Sequence, residues 1–194
     1  MNDGGDPVSE YKLYRDDGDD FTSGWTEITN YDGSSDTYTV VAGDGIVTGK
    51  IYRFTYAATN NIGDSERSND LIAGVGSSPS APTTISRNSE ESSATSMLVE
   101  WTKVTGSDLE ILGYKLYVDD GLSGVVAEVY DGSVNPQVRE YRIDGLVPGR
   151  TYSFKASAFD INGEGTLSAT ATEILSCIDP SGMADPVLES VDET

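Results

Sequence analysis

The side chains that could do chemistry in this sequence are almost all carboxylates. Histidine is absent, and Cys177 is the only cysteine. These two facts exclude the serine–histidine and cysteine–histidine nucleophile systems of hydrolases, and also a zinc site with cysteine or histidine ligands. A single cysteine excludes an intramolecular disulfide. We interpret Cys177 as a buried or linker thiol, with an intermolecular bridge as the alternative.

The densest group of carboxylates lies in one turn, where Gly18 is flanked by Asp16, Asp17, Asp19 and Asp20. Hard cations such as Ca²⁺ bind several oxygen ligands placed close together, so these four aspartates are the candidate metal ligands and Ca²⁺ is the candidate cofactor. The run lacks the loop spacing and the terminal glutamate of an EF-hand. A solvated turn without metal is the simpler interpretation.

The remaining carboxylates do not form a recognisable catalytic arrangement. A glycosidase with two acidic residues needs a cleft between them, and short turns between strands rarely form one. A glycine-rich phosphate loop between a strand and a helix is also absent from the sequence. We therefore predict that the protein is not an enzyme and has no catalytic residues.

The net charge of −21 limits the partners. Such a surface repels nucleic acid phosphates and anionic lipid, so we expect protein partners and no nucleic acid. No segment approaches the roughly 18 apolar residues of a membrane helix, which predicts no membrane insertion in this segment.

Two segments of the chain occur twice, about a hundred residues apart. Tyr11-Lys12-Leu13-Tyr14 recurs within Gly113-Tyr114-Lys115-Leu116-Tyr117, and each is followed by Asp-Asp-Gly. A tyrosine and a phenylalanine two residues apart, Tyr52 and Phe54, recur as Tyr152 and Phe154. The chain therefore contains two copies of one module.

The apolar residues of each copy alternate with polar ones, which is typical of half-buried strands. In the second copy this alternation and the glycine-containing turns predict seven strands near residues 83–87, 96–101, 114–118, 125–130, 137–143, 152–158 and 167–174. In the first copy the segment Thr37–Val41 is one of the predicted strands. Seven short strands separated by tight turns indicate an all-β chain of antiparallel β-sandwiches.

The order and spacing of these motifs resemble the fibronectin type III domain, an immunoglobulin-like sandwich. The resemblance rests on Trp101 in the second strand, on the repeated Tyr-Lys-Leu-Tyr strand, and on Leu146, Pro148 and Gly149 before Tyr152. A tyrosine at this corner packs its ring in the core and bonds its hydroxyl to backbone just upstream. The resemblance implies tandem fibronectin type III domains over essentially the whole chain.

The two copies differ in their first strands. About 31 residues precede the Tyr114 strand in the second copy, whereas ten precede Tyr11 in the first. We therefore predict that the first copy lacks its first two strands. The predicted boundaries are an incomplete domain at 1–76, a linker at 77–82, a complete domain at 83–176, and, at 177–194, a linker with the first strand of a further repeat or a donated tail.

Two explanations of the incomplete copy stay open. The chain is either a piece of a longer array, or a subunit whose sandwich is completed by strands from another molecule, because an open sheet edge and an uncovered apolar face both favour strand addition.

Two functions follow from these explanations. The first is a structural or adhesion repeat of a long surface, extracellular or filament-forming protein, with copies of itself or neighbouring repeats as partners. The alternative is an accessory spacer or binding module attached to an enzyme or a carbohydrate-binding protein. The family's integrin-binding Arg-Gly-Asp tripeptide is absent from this sequence, so that contact does not transfer.

Overall fold

The chain is built from antiparallel β-strands. The computed structural model of the protein describes residues 5–19, 21–22, 24–168 and 172–177. Within these ranges there are thirteen strands and a single-turn 3₁₀ helix at Ala42–Asp44. The described residues include no helix of the length and apolarity that a membrane span requires.

The first repeat is a single five-stranded sheet. Its strands are β1 (Glu10–Arg15), β2 (Thr26–Glu27), β3 (Ile51–Asn60), β4 (Gly63–Asp64) and β5 (Leu71–Gly74). β3 pairs with β1, β4 and β5, and β2 pairs with the other edge of β1. Because side chains alternate along a strand, one face of this sheet carries alternate residues of β1, β3 and β5.

The second repeat has two sheets. Its strands are β6 (Ile85–Asn88), β7 (Ser96–Trp101), β8 (Gly113–Val118), β9 (Ala127–Gly132), β10 (Glu140–Asp144), β11 (Thr151–Asp160), β12 (Gly163–Glu164) and β13 (Thr172–Leu175). A three-stranded sheet in the order β10-β7-β6 packs against a five-stranded sheet formed by β8, β9, β11, β12 and β13. The predicted sandwich is confirmed for this repeat.

The core of the second repeat lies between these two sheets. β7 contributes side chains from alternate positions, and Met97 and Val99 are fully buried. From the opposite sheet, Leu116, Phe154 and Ala156 are also fully buried. Every second residue of these strands faces inward, as the alternating sequence predicts.

Both tyrosine corners form as predicted. The Tyr152 hydroxyl accepts the N–H of Val147 at 2.9 Å, and the Tyr52 hydroxyl accepts the N–H of Val47 at 3.0 Å. In the first copy, the backbone conformation and packing of Gly18 explain the glycine of the Asp-Asp-Gly turn. Gly18 has a φ of +75° and lies against the Tyr52 ring, where a Cβ atom would come within 2.6 Å of Cε1.

The first repeat differs from the prediction at residues 37–41, which form no strand. In the second repeat the corresponding strand, β10, pairs only with β7. The described part of the first repeat supplies no counterpart of β7, so these residues have no ladder to join. The segment predicted as a linker and further strand, residues 177–194, lies outside the described residues from residue 178 onward.

Candidate binding face of the first repeat and the joint between repeats

The first repeat exposes a face that is buried in the second. Leu13 pairs with Tyr56 across β1 and β3, just as Leu116 pairs with Ala156 across β8 and β11. These pairs occupy equivalent positions, because each leucine follows the first tyrosine of its strand by two residues, and Tyr56 and Ala156 each follow the corner tyrosine by four.

The exposure of these side chains differs sharply between the repeats. Leu116 and Ala156 have no exposed surface, whereas Leu13 is half-buried and Tyr56 is 48% exposed. On the neighbouring strand β5, Leu71 is 64% exposed. The three-stranded sheet that covers this face in the second repeat has no counterpart in the described first repeat, which accounts for the difference.

The uncovered face forms a cleft of about 720 Å³. Its floor is made of side chains from β1, β3 and β5. One wall is the loop between β2 and β3, including Tyr31, Tyr38 and Val40. The lining is mainly apolar, with Ser35, Asp36 and Thr37 as polar exceptions, so the cleft suits an apolar polypeptide better than a charged ligand.

Asp44 holds the wall of the cleft together. Its carboxylate accepts hydrogen bonds from the Asn30 amide at 2.8 Å, the Val41 N–H at 2.8 Å and the Tyr38 hydroxyl at 3.1 Å. Its backbone carbonyl accepts a hydrogen bond from Arg15 Nε at 2.7 Å. Asp44 thus holds the wall together through its carboxylate and ties it to the end of β1 through its backbone carbonyl.

We expect acidification to release this wall. Burial by itself raises the pKa of Asp44, but hydrogen bonds from Val41, Asn30 and Tyr38, with Arg15 nearby, hold that pKa below its ordinary value. A carboxyl group with a lowered pKa stabilises the fold above its unfolded pKa, and this stabilisation is lost as the pH falls through the folded pKa. Amide protection factors over residues 28–44 should therefore decrease below about pH 4.

Asp32 lies in the same segment, and the N–H groups of Ser34 and Ser35 lower its pKa as well. The variant Asp44→Asn separates the two groups. Its protection factors should already be low at pH 7, with a smaller further decrease in acid. If protection factors decreased in acid as much in Asp44→Asn as in the native chain, Asp44 would not be the residue that holds the wall.

The opposite face of the first sheet carries alternating cations and rings. The Arg53 guanidinium lies 5.0 Å from the centre of the Trp25 ring and 5.7 Å from that of Phe21. Arg67 lies 5.6 Å from Trp25 and 4.7 Å from Tyr14. Cation–π contacts of this kind stabilise a sheet whose other face is uncovered.

The four aspartates predicted as metal ligands have different surroundings. Asp16 is fully buried and accepts Arg53 Nε at 2.9 Å, while Asp19 pairs with Lys50. Asp17 Oδ1 accepts the N–H of Asp19, and Asp20 lies outside the described residues. The described residues contain no cluster of three or more potential metal ligands. Calcium binding stays a hypothesis, in which the cation would compete with Arg53 and Lys50.

Asp16 also bonds to backbone N–H groups, and Asp119 makes the same bonds in the second repeat. One of the Asp16 oxygens accepts the N–H groups of Gly18 and Arg53, joining the turn after β1 to β3. Asp119 does the same with Gly121 and Ser153 in the second repeat. The repeated Asp-Asp-Gly motif is therefore explained by its role in the fold.

The two repeats meet at Gly74. Its N–H donates to Asn162 Oδ1 at 2.9 Å, and its carbonyl accepts Asn162 Nδ2 at 2.8 Å. A Cβ atom at Gly74 would lie 2.6 Å from Leu109 Cδ1 and 2.8 Å from Ile161 Cγ2. The joint thus combines a two-point main-chain clamp with a close approach of Gly74 to the Leu109 and Ile161 side chains, which a larger residue would have to displace.

The comparison with family models identifies the module. The model of the fibronectin type III domain matches residues 80–174, which include all strands of the second repeat up to Ile174. Residues 80–174 form a fibronectin type III domain. The second domain is a complete sandwich, and the first has only the five-stranded sheet in the described residues.

Part of the chain is similar in sequence to a known protein. The chain is 32% identical over 137 residues to "Tyrosine-protein phosphatase Lar-like" of Caenorhabditis elegans, a match that covers 66% of this chain and 6% of that protein. It therefore spans only a small part of that relative.

Two solved structures illustrate the likeness in three dimensions. The match to the FN1–FN3 domains of chicken CNTN1 covers 87% of this chain and 56% of the CNTN1 chain, with 19% sequence identity and a TM-score of 0.49. The match to the sixth fibronectin type III domain of human fibronectin type III domain containing protein 3 covers 56% of this chain and 95% of that domain, with 22% sequence identity and a TM-score of 0.44.

We expect Asn162→Ala to loosen the joint between the two repeats without unfolding either. The substitution removes both hydrogen bonds to Gly74, while the cores of both domains stay intact. Rotational correlation times of the two domains from NMR relaxation should then diverge, and Gly74→Val should have the same effect through steric clash. Correlation times that stay equal in both variants would contradict the clamp.

Three functional features were missed by reasoning from the sequence. The Asn162 clamp joins residues 88 positions apart, and such a long-range pair leaves no local signal. The Asp44 network and the Arg53 contacts were also missed. A signal for Arg53 existed, because it stands where the second fibronectin type III domain has Ser153 and faces a buried aspartate.

Proposed function

We propose that this chain is a link in a longer structural or adhesion assembly at the cell surface or outside the cell, in which strands from another polypeptide segment close the open face of the first domain. Fibronectin type III domains are in general non-catalytic and mediate protein–protein contacts. Relatives of this family are typically extracellular or on the cell surface. The observation that carries the proposal is the apolar face of the first domain.

The second domain supports this proposal because it provides a completed version of the same sheet. Strands β6, β7 and β10 bury the face of the second domain, including Leu116 and Phe154. Each square ångström of apolar surface removed from water contributes about 25 cal/mol. An apolar face left open therefore favours the binding of an added sheet, and large exposed apolar patches commonly mark interaction sites.

The joint at Gly74 supports the role of a link. The clamp by Asn162 and the contact between the Ser77 N–H and Asp108, at 2.8 Å, set the orientation of one domain on the next. A defined orientation lets a series of domains transmit position along its length, as a spacer or adhesion element requires.

A covalent extension tests the proposal. A copy of residues 83–110, which contains β6 and β7, is fused ahead of residue 5 of the full chain. We expect the extra strands to close the first domain, so that 1-anilinonaphthalene-8-sulfonate fluorescence falls and amide protection in β1 and β3 rises. Residues 1–76 produced alone should aggregate or stay unfolded.

The matched control is the same extension carrying Met97→Asp and Val99→Asp in the added copy. These charges cannot enter an apolar interface without a large desolvation cost, so the control should leave the first domain unchanged. A sharp, monomeric thermal transition of residues 1–76 alone would contradict the proposal, as would an extension that gives no more protection than its control.

A further inference from the structure

We propose that the segment Tyr38–Val40 is the edge onto which the incoming strand adds, and that a slot beside it receives an aromatic side chain of that strand. This inference rests on the proposed function and names the partner of the same cleft. The partner is an antiparallel strand pair with alternating apolar residues and one aromatic, of the kind formed by β6 and β7.

The second domain shows how such an edge is used. β10 pairs with β7 in antiparallel register, with Tyr141 opposite Val99 and Ile143 opposite Met97. The Trp101 N–H donates to the Arg139 carbonyl at 2.9 Å. Because hydrogen-bonded pairs alternate along an antiparallel ladder, Tyr141 and Ile143 also use their main-chain groups toward β7.

The first domain has the same pattern without the partner. Tyr38 and Val40 are half-buried and line the cleft, while Thr39 between them is exposed. Tyr141, Arg142 and Ile143 show the same alternation in β10. Within the described chain, the N–H groups of Tyr38 and Val40 donate to no other main-chain group. The edge is therefore available for a ladder.

The aromatic slot is recognised from the rings that surround Trp101. The Trp101 ring lies 6.2 Å from Tyr114 and 5.7 Å from Tyr130, and Tyr130 lies 5.1 Å from Tyr141. In the first domain the three tyrosine rings of this series have equivalents. Tyr31 and Tyr38 are 5.4 Å apart, and Tyr11, the equivalent of Tyr114, lines the same cleft.

The ring missing from this series is the tryptophan itself. Trp25, the other tryptophan of the chain, contacts Arg53 and Arg67 on the opposite face of the sheet and is not among the residues that line the cleft. An incoming strand that places an aromatic residue between Tyr11 and Tyr31 would restore the arrangement. Offset and edge-to-face ring contacts would then give the site a preference for an aromatic residue at that position.

The test measures binding of a fluorescent synthetic peptide with the sequence of residues 84–103 to the full chain by anisotropy. We expect saturable binding, weakened about tenfold or more when the peptide carries Trp101→Ala. In the protein, Val40→Pro removes one N–H of the proposed ladder and should weaken binding to a similar extent. Thr39→Pro places proline at a position where the N–H points away from the added strand, so it should change the affinity less than threefold.

Each result bears on a different claim. Equal losses in Thr39→Pro and Val40→Pro would overturn the assignment of the edge, and equal affinities of the native and Trp101→Ala peptides would overturn the aromatic slot. A peptide that does not bind overturns the whole inference. The proposed function is tested separately by the covalent extension, which does not depend on the affinity of a free peptide.

Discussion

Phe154→Ala should destabilise the second domain by about 3–5 kcal/mol, whereas Phe54→Ala should cost the first domain about 1 kcal/mol. The two phenylalanines hold equivalent positions, two residues after the corner tyrosine of β11 and of β3. Phe154 is fully buried between two sheets, and its removal leaves a cavity. Phe54 lines the open cleft, where water and neighbouring side chains can fill the space.

Hydrogen exchange resolved by peptide and measured over a series of urea concentrations separates the two domains. The β11 peptides report the loss in Phe154→Ala, and the β3 peptides report the loss in Phe54→Ala. Adding the strand extension to the first domain should raise the cost of Phe54→Ala toward that of Phe154→Ala. Equal costs in the unextended chain would mean that the first domain already has a closed core.

Arg53→Ala should destabilise the first domain by about 3–5 kcal/mol, because it leaves the buried carboxylate of Asp16 without its charged partner. Asp16 has no exposed surface, and Arg53 Nε lies 2.9 Å from its Oδ2. The same substitution removes the guanidinium from the Phe21 and Trp25 rings, which adds to the loss. Urea unfolding followed by exchange in β1 and β3 measures the effect.

The double variant Asp16→Asn with Arg53→Ala identifies the cause. The asparagine keeps an oxygen for the backbone N–H groups of residues 18 and 53 but carries no charge, so the double variant should be more stable than Arg53→Ala alone. The second domain provides a natural comparison, because Ser153 stands at this position and Asp119 Oδ2 has no hydrogen-bond partner among the described residues. Strict additivity of the two substitutions would show that Arg53 acts through its contacts with the rings and with Asp70 rather than through Asp16.

Strands in which apolar residues alternate with others and which end at a glycine-containing turn could be predicted from the sequence. The alternation in Tyr114, Leu116 and Val118 depends only on local pattern, and the structure has a strand at Gly113–Val118. The tyrosine corners were predictable for the same reason, since the hydroxyl bonds to backbone only five residues away.

Elements that depend on a distant partner could not be predicted in the same way. Residues 37–41 have the β-branched and aromatic composition of a strand, yet composition cannot supply the partner strand that a ladder needs. The aromatic slot was hidden because Tyr31 and Tyr38 are separated by fewer residues than Tyr130 and Tyr141. The repeated Tyr-Asp-Gly-Ser at residues 31–34 and 130–133 relates Tyr31 to Tyr130 in the sequence, but the unequal loops leave no such repeat around Tyr38 and Tyr141.

Hydroxyl-radical footprinting of the full chain at neutral pH tests the open face most directly, because it compares side chains on corresponding faces of the two repeats within one molecule. Tyr56 and Leu71 should be oxidised rapidly and Tyr11 at an intermediate rate, while Tyr114 and Phe154 are protected. This order follows from exposures of 48% for Tyr56 and 64% for Leu71, against 1% for Tyr114 and none for Phe154. Equal protection of Tyr56 and Phe154 would contradict an open first domain.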